Sequence, residues 1–166
     1  NNGSDNFSAE QIITTFANGV QSVYAADLDN DNDMDVLSAS WGDNKITWYE
    51  NDGNGNFGAQ QIITINALGV NDVHVADLDN DGDIDVLSAS ADDDKIAWYE
   101  NDGSGNFGEQ QIITTAANGA TSVYATDLDN DGDIDVLSAS WIDDKIAWYE
   151  NDGNGNFGAQ QIITVI

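Results

Sequence analysis

The chain repeats itself every fifty residues, and this periodicity limits the fold more than any other feature. Residues 11–60, 61–110 and 111–160 align without a gap. Each copy reads QIIT, a variable stretch, DLDNDxDxDVLSAS and then KIxWYENDGxGNFG. The second and third copies differ at only thirteen of fifty positions. Residues 1–10 match the end of a preceding copy, and residues 161–166 match the start of another. The chain therefore begins and ends at the same phase of its period.

A period near fifty suits a propeller blade or a repeat array. The local patterns are those of strands. Residues 23–26 are short and apolar and run into a polar loop. Residues 36–40 (VLSAS) are small or apolar on both faces. Residues 45–50 (KITWYE) alternate, with Ile46 and Trp48 on one face and Lys45, Thr47 and Tyr49 on the other. Residues 57–64 (FGAQQIIT) make a fourth strand after the NDGNGN turn, whose Asn, Asp and Gly tolerate positive φ. The expected fold is all-β, with tandem four-stranded antiparallel propeller-type blades. Blade 1 is expected over 21–64, blade 2 over 71–114 and blade 3 over 121–164, in one continuous repeat domain. Residues 1–20 are expected to be the outer strand of a preceding blade and a linker, with the surplus strand over 7–14. One such sheet cannot bury both faces, so stacking of neighbouring copies has to bury them.

The charge balance narrows the partners. Asp and Glu number 31 against three lysines and no arginine, for a formal net charge of -28. Nothing here neutralises phosphates, so nucleic acid is excluded as a partner. An anionic membrane surface is equally unsuitable, and no apolar run is long enough to span a bilayer. Cations are the partners such a surface suits. Disorder does not follow from the acidity, because 40% of residues are hydrophobic, with five Trp, five Tyr and five Phe among them. There is no cysteine, so another staple is needed if the domain is to be stiffened, and a metal is one. No signal peptide is present in the sequence as numbered.

The sharpest motif is D-x-D-x-D-G-D-x-D, at residues 27–35, 77–85 and 127–135. Calcium is a hard cation that takes six to eight oxygens in a flexible cage. Carboxylates at alternate positions of a tight loop can all turn onto one ion. In the first copy Asp27, Asp29, Asp31 and Asp35 are expected to offer side chains, and Asp33 its backbone carbonyl. The corresponding residues are Asp77, Asp79, Asp81, Asp83 and Asp85, then Asp127, Asp129, Asp131, Asp133 and Asp135. The sixth position must bend sharply, which suits Gly82 and Gly132, with Asn32 the next best choice in the first copy. Five aspartates in nine residues repel one another without a counter-ion, so solvated turn aspartates are the weaker reading. Magnesium fits less well, since it demands rigid octahedral geometry. Three calcium ions are expected, one per repeat, each closing a strand turn.

The run DLDNDGDIDVLSAS followed by KIAWYENDGxGNFG resembles the FG-GAP or VCBS-type calcium-binding repeat of integrin α-like propeller blades. The resemblance covers essentially the whole chain. It implies a four-stranded blade with calcium in the first loop, in an extracellular or cell-surface protein. Propellers of this kind usually close with about seven blades, whereas this chain supplies three.

The copies vary in two places, at 15–22, 65–72 and 115–122, and in the turn at Trp41-Gly42, Ala91-Asp92 and Trp141-Ile142. In a meander these loops share one edge, opposite the calcium loops. That edge is either a contact surface or drift in exposed loops. Trp41 and Trp141 either stack on a sugar or fill a packing site. Trp48, Trp98 and Trp148 recur in every copy and read as core. His74 stands where Tyr24 and Tyr124 stand, a packing substitution. Lys45, Lys95 and Lys145 are expected to pair with nearby carboxylates. Asn2-Gly3-Ser4 is a glycosylation sequon, with Asn2 the acceptor.

The enzyme reading is weak, because the chain has a single His and no Cys or Arg, and because it is nearly periodic whereas catalytic sites are usually singular. The leading reading is a non-catalytic, calcium-stabilised module that associates with other copies of itself into a filament or surface structure. Two chains closing into a six-bladed ring is the alternative geometry. A calcium-dependent lectin or adhesin that binds glycans is the alternative function.

Overall fold

The structure is a computed structural model and describes residues 9–165. Twelve strands follow one another: β1 (Val20–Ala26), β2 (Asp35–Ser40), β3 (Lys45–Tyr49), β4 (Gln61–Thr64), β5 (Val70–Ala76), β6 (Asp85–Ser90), β7 (Lys95–Tyr99), β8 (Gln111–Thr114), β9 (Ala120–Thr126), β10 (Asp135–Ser140), β11 (Lys145–Tyr149) and β12 (Gln161–Val165). They form three four-stranded sheets in sequential order, β1 to β4, β5 to β8 and β9 to β12. All pairings are antiparallel. The all-β blades expected from the repeat are present, three in number.

The strand sequences account for this architecture. The DVLSAS strands are central and paired on both sides, and Leu37 lies opposite both Tyr24 and Trp48. Their small and apolar residues suit burial on both faces. In blade 1 a hydroxyl pair, Ser38 Oγ and Thr47 Oγ1 at 3.0 Å, satisfies two of the polar atoms left inside. The innermost strand of each blade carries a bulge at the same place, between Val20 and Ser22, between Val70 and Asp72, and opposite Ala139 and Ser140.

Stacking buries the blade faces. Ile46 and Trp48 of blade 1 join Val70, Val73, Val86 and Tyr99 of blade 2 in one cluster. Ile96 and Trp98 of blade 2 join Val123, Val136 and Tyr149 of blade 3 in the next. The alternation in KITWY thus places Ile and Trp on the face toward the following blade and Tyr on the opposite one. Each fully buried aliphatic side chain contributes about 1.5–3 kcal/mol, so stacking rather than isolated sheet formation holds the molecule together. His74 sits between Tyr24 and Tyr124, at ring-centroid distances of 5.1 and 4.7 Å, as a packing residue.

Connections alternate between two edges. At one, Asn51 N donates to Asp35 Oδ1 at 2.9 Å, tying the β3–β4 turn to the loop after β1. At the other, Trp41 N donates to Gly19 O at 3.0 Å and Trp141 N to Gly119 O at 3.1 Å, joining the variable segments.

One expectation needs correction. Residues 9–14 form no strand, although an outer strand was expected over 7–14. A strand exists by pairing, and the described residues include no third strand of a preceding blade for this segment to pair with. It nevertheless lies where such a strand belongs. Residues 12–16 line a groove with Tyr49 and residues 58–60, as residues 62–66 do with Tyr99 and residues 107–110. Residues 7 and 8, and the sequon residue Asn2, lie outside the described residues.

Candidate metal centre

Each acidic loop leaves an innermost strand and returns at the first residue of the next one. Two anchors fix it. Leu28 is buried in the inter-blade cluster, and Asp35 is fully buried at the start of β2. Asp35 Oδ2 accepts Leu28 N at 2.9 Å and Oδ1 accepts Asn51 N at 2.9 Å. Asp85 and Asp135 repeat both contacts.

The chain between the anchors turns through left-handed backbone. The sixth position has φ of 74° at Asn32, 98° at Gly82 and 103° at Gly132, as its residue types require. The fourth position, Asn30, Asn80 and Asn130, is also left-handed, at 62°, 60° and 66°. These bends aim backbone N–H groups inward. Asp27 accepts Asp31 N at 3.1 Å and Asn32 N at 2.9 Å, and Asp77 and Asp127 accept Gly82 N and Gly132 N at 3.1 and 3.2 Å.

The five aspartates of each loop divide into three kinds. Asp27, Asp29 and Asp35 bring carboxylate oxygens within 4.8 Å of one another, as do Asp77, Asp79 and Asp85, and Asp127, Asp129 and Asp135. Asp31, Asp81 and Asp131 lie outside these groups and accept the N–H two residues ahead, at 2.8, 2.9 and 2.9 Å. The side chains of Asp33, Asp83 and Asp133 turn away, over Gly53, Gly103 and Gly153 of the following turn. This leaves their carbonyls, rather than their carboxylates, as the groups available to the loop.

The electrostatics are those of a cation site. Desolvation raises the carboxyl of Asp29 above its ordinary value, and the neighbouring charges of Asp31 and Asp27 add to this. Asp79 and Asp129 are raised for the same reasons. Burial pushes Asp85 up to about 7, against the opposing donations from Asn101 N and Leu78 N. The lysines give no relief, because Lys45, Lys95 and Lys145 pair with Asp43, Asp93 and Asp143 at 2.9, 2.9 and 2.8 Å on the other edge. A cation held by three carboxylates favours their charged forms. The donor set is all oxygen, which suits a hard divalent ion. Each repeat thus carries one cluster able to hold a metal ion.

A second set of residues joins these loops, with no signal in the sequence beyond their recurrence. Asn30 Nδ2 donates to Asp83 Oδ1 at 2.7 Å and Gly103 O at 3.2 Å, and Asn80 does the same to Asp133 at 2.9 Å and Gly153 at 3.2 Å. In the reverse direction Asn101 Nδ2 donates to Leu28 O at 2.9 Å and Asn151 Nδ2 to Leu78 O at 2.7 Å. Successive acidic loops are therefore linked by side-chain amides.

Trp41 and Trp141 stand on the opposite edge, 47% and 65% exposed, on blades 1 and 3 with blade 2 between them. They join no acidic cluster. Trp48 and Trp98 are buried in the core as expected, and Trp148 on the outermost face is half-buried.

No curated protein sequence matches the chain. Among solved structures it is similar to an Agrocybe aegerita lectin that recognises non-reducing terminal N-acetylglucosamine, at 21% identity and a TM-score of 0.65. That match covers 86% of this chain and 38% of the lectin, so the chain spans well under half of that relative. The Photorhabdus luminescens Tc holotoxin pore is similar at 18% identity, over 85% of this chain and 7% of that one, with a TM-score of 0.48. The V. cholerae biofilm matrix protein Bap1 is similar at 26% identity, over 86% of this chain and 19% of that one, with a TM-score of 0.48. The first of these likenesses supports the blade fold. The FG-GAP-like repeat model matches residues 1–38, 34–88, 77–138 and 127–165, and the chain belongs to that family.

Proposed function

We propose that the chain is a non-catalytic, calcium-stabilised extracellular repeat module that associates with further copies of itself. One observation carries this reading. The faces that blades bury against each other recur on the first and third blades, where they are exposed among the described residues. Val23 is 65% exposed where Val73 and Val123 are 2% and 3% exposed. Leu128 is 39% exposed where Leu28 and Leu78 are each 1% exposed. An apolar face of this kind suits burial against a further blade of the same type.

Calcium is the ion the clusters suit best, since irregular loops with mixed carboxylate and carbonyl donors tolerate its flexible coordination. When bound, it supplies charge neutralisation that lets three carboxylates share one loop. Residues Asp27, Asp29 and Asp35 and their repeats would hold it. Extracellular calcium modules work at high free calcium, which fits a surface or matrix location.

Size measurement in calcium tests the reading. A discrete dimer supports a closed six-bladed ring, and a polydisperse or fibrous sample supports a filament. Single chains at every concentration contradict self-association.

A second reading, calcium-dependent glycan binding, is favoured by the two exposed indoles, Trp41 and Trp141, on one edge. A glycan array with and without calcium tests it, and signal lost in the W41A/W141A double variant supports it.

A further inference from the structure

Resting on the calcium reading, we infer that the acidic loops bind their ions cooperatively, with the Asn101 and Asn151 side chains as the positioning residues that tie each site to the next.

One carboxylate of each cluster is linked to the next by three hydrogen bonds. Asp35 Oδ2 accepts Leu28 N at 2.9 Å, Leu28 O accepts Asn101 Nδ2 at 2.9 Å, and Asn101 N donates to Asp85 Oδ1 at 2.9 Å. Asp85 Oδ2 in turn accepts Leu78 N at 2.9 Å, Leu78 O accepts Asn151 Nδ2 at 2.7 Å, and Asn151 N donates to Asp135 Oδ1 at 2.9 Å. Asp85 thus serves one neighbouring site with each oxygen. A carboxylate oxygen that accepts one N–H keeps a lone pair for a cation. Asp35, Leu28, Asn101, Asp85, Leu78, Asn151 and Asp135 are all at most 2% exposed, so water does not compete for these bonds.

The two amides are held by both loops at once. Asn101 Nδ2 also donates to Ile84 O at 2.9 Å, and its Oδ1 accepts Gly103 N at 3.3 Å. Asn151 repeats these contacts with Ile134 O and Gly153 N, at 2.9 and 3.2 Å. Three carboxylates within 4.8 Å repel one another without a counter-ion, so the closed loop is the state a cation favours. A loop that opens withdraws the Leu28 or Leu78 carbonyl, and the buried amide left behind finds no replacement. Closure of one loop therefore stabilises closure of the next, equally in both directions. Asn30 and Asn80 also bridge the loops, but both are exposed, where water substitutes for such bonds. Repulsion between bound ions opposes the coupling, and at about 0.15 M salt it is screened beyond roughly 8 Å.

The test is isothermal titration of the whole chain with calcium at about 0.15 M salt. Asp79 belongs to the middle cluster and takes no part in this run of bonds, so D79N disables that site and leaves the run in place. D79N is expected to remove one equivalent and to weaken the remaining two at least about fivefold. The N101A/N151A double variant is expected to titrate less steeply than the parent, and D79N added to it is expected to lose its effect on the other two sites. A purely structural role for the asparagines would lower stability without abolishing that effect. Circular dichroism checks the fold, and if N101A/N151A does not fold, the comparison of D79N with the parent still decides whether the sites are coupled. If the parent takes up no calcium, the calcium reading itself fails. If the parent binds calcium and D79N leaves the other two sites unchanged or tightens them, cooperativity is overturned while the calcium reading stands. A D79N effect that persists in the N101A/N151A background overturns the role of the two asparagines.

Discussion

At the scale of the residue, one carboxylate per repeat does two jobs. Asp85 is buried at the first position of β6, where it accepts two backbone N–H groups and belongs to the acidic cluster. Its neighbour Asp83 lies over the next turn and accepts Asn30 Nδ2. The two are only two residues apart, yet their substitutions should differ. D85N is expected to remove one calcium equivalent in isothermal titration. D83N is expected to keep all equivalents but lower stability in denaturant by about 1 kcal/mol, because a charge-assisted hydrogen bond becomes at best a neutral one. Loss of an ion in D83N and not in D85N would reverse the assignment. The presence of the loop was legible in the aspartate spacing, and so was the bend at Asn32, Gly82 and Gly132. The division of five aspartates into cage, N–H acceptor and turn cover was not. It depends on side-chain direction, which the left-handed Asn30, Asn80 and Asn130 set and which alternation alone does not encode.

At the scale of the element, the β3–β4 turn and its repeats act as clamps. Asn101 bonds both its own blade, through Ile84 O at 2.9 Å, and the preceding one, through Leu28 O. Asn51 makes only the first kind of bond among the described residues. N101A is therefore expected to cost about 1–3 kcal/mol in urea unfolding, by leaving a buried carbonyl unpaired, and N51A visibly less. Equal costs would argue against the inter-blade bond. The same turn carries an acid-sensitive group. The Asn106 amide first, then Ser104 N, hold the Asp102 carboxyl below its ordinary 3.8. A group depressed in the folded state adds stability above its unfolded value and loses it as pH falls through the folded one. The Asp102 turn should thus hold at pH 5 and loosen only below about 3.9, and an NMR titration midpoint above that value would contradict the assignment. Strand existence and the facing of Ile46, Trp48 and Tyr49 were legible in the KITWY alternation. Strand ends were less so. The innermost strand starts three residues earlier than its apolar run, at Val20, because the bulge carries the ladder past Gln21. The fourth strand starts later, at Gln61, because Phe57 makes only an isolated bridge to Asn51.

At the scale of the whole molecule, the blades depend on one another in series. Trp98 is buried between blades 2 and 3, while Trp148 is only partly buried among the described residues. W98A is expected to cost about 3–5 kcal/mol, and W148A clearly less, in thermal or urea unfolding of the single chain. The stack was legible in the repeat, because a two-faced sheet of this composition has no other way to bury itself. The place of residues 9–16 was only half legible. Their match to QIIT gave the location beside blade 1, but pairing as a strand needs a neighbouring third strand, and the described residues include none on that side. Tying the scales together are the acidic loops, which close each blade and, through Asn30, Asn80, Asn101 and Asn151, touch the loop of the next. The most direct measurement is thermal unfolding of the chain in millimolar calcium and again after EGTA. With three sites that bind only the folded state, removal of calcium is expected to lower the melting temperature by more than about 10 °C. An unchanged melting curve would contradict the claim that cations close these blades.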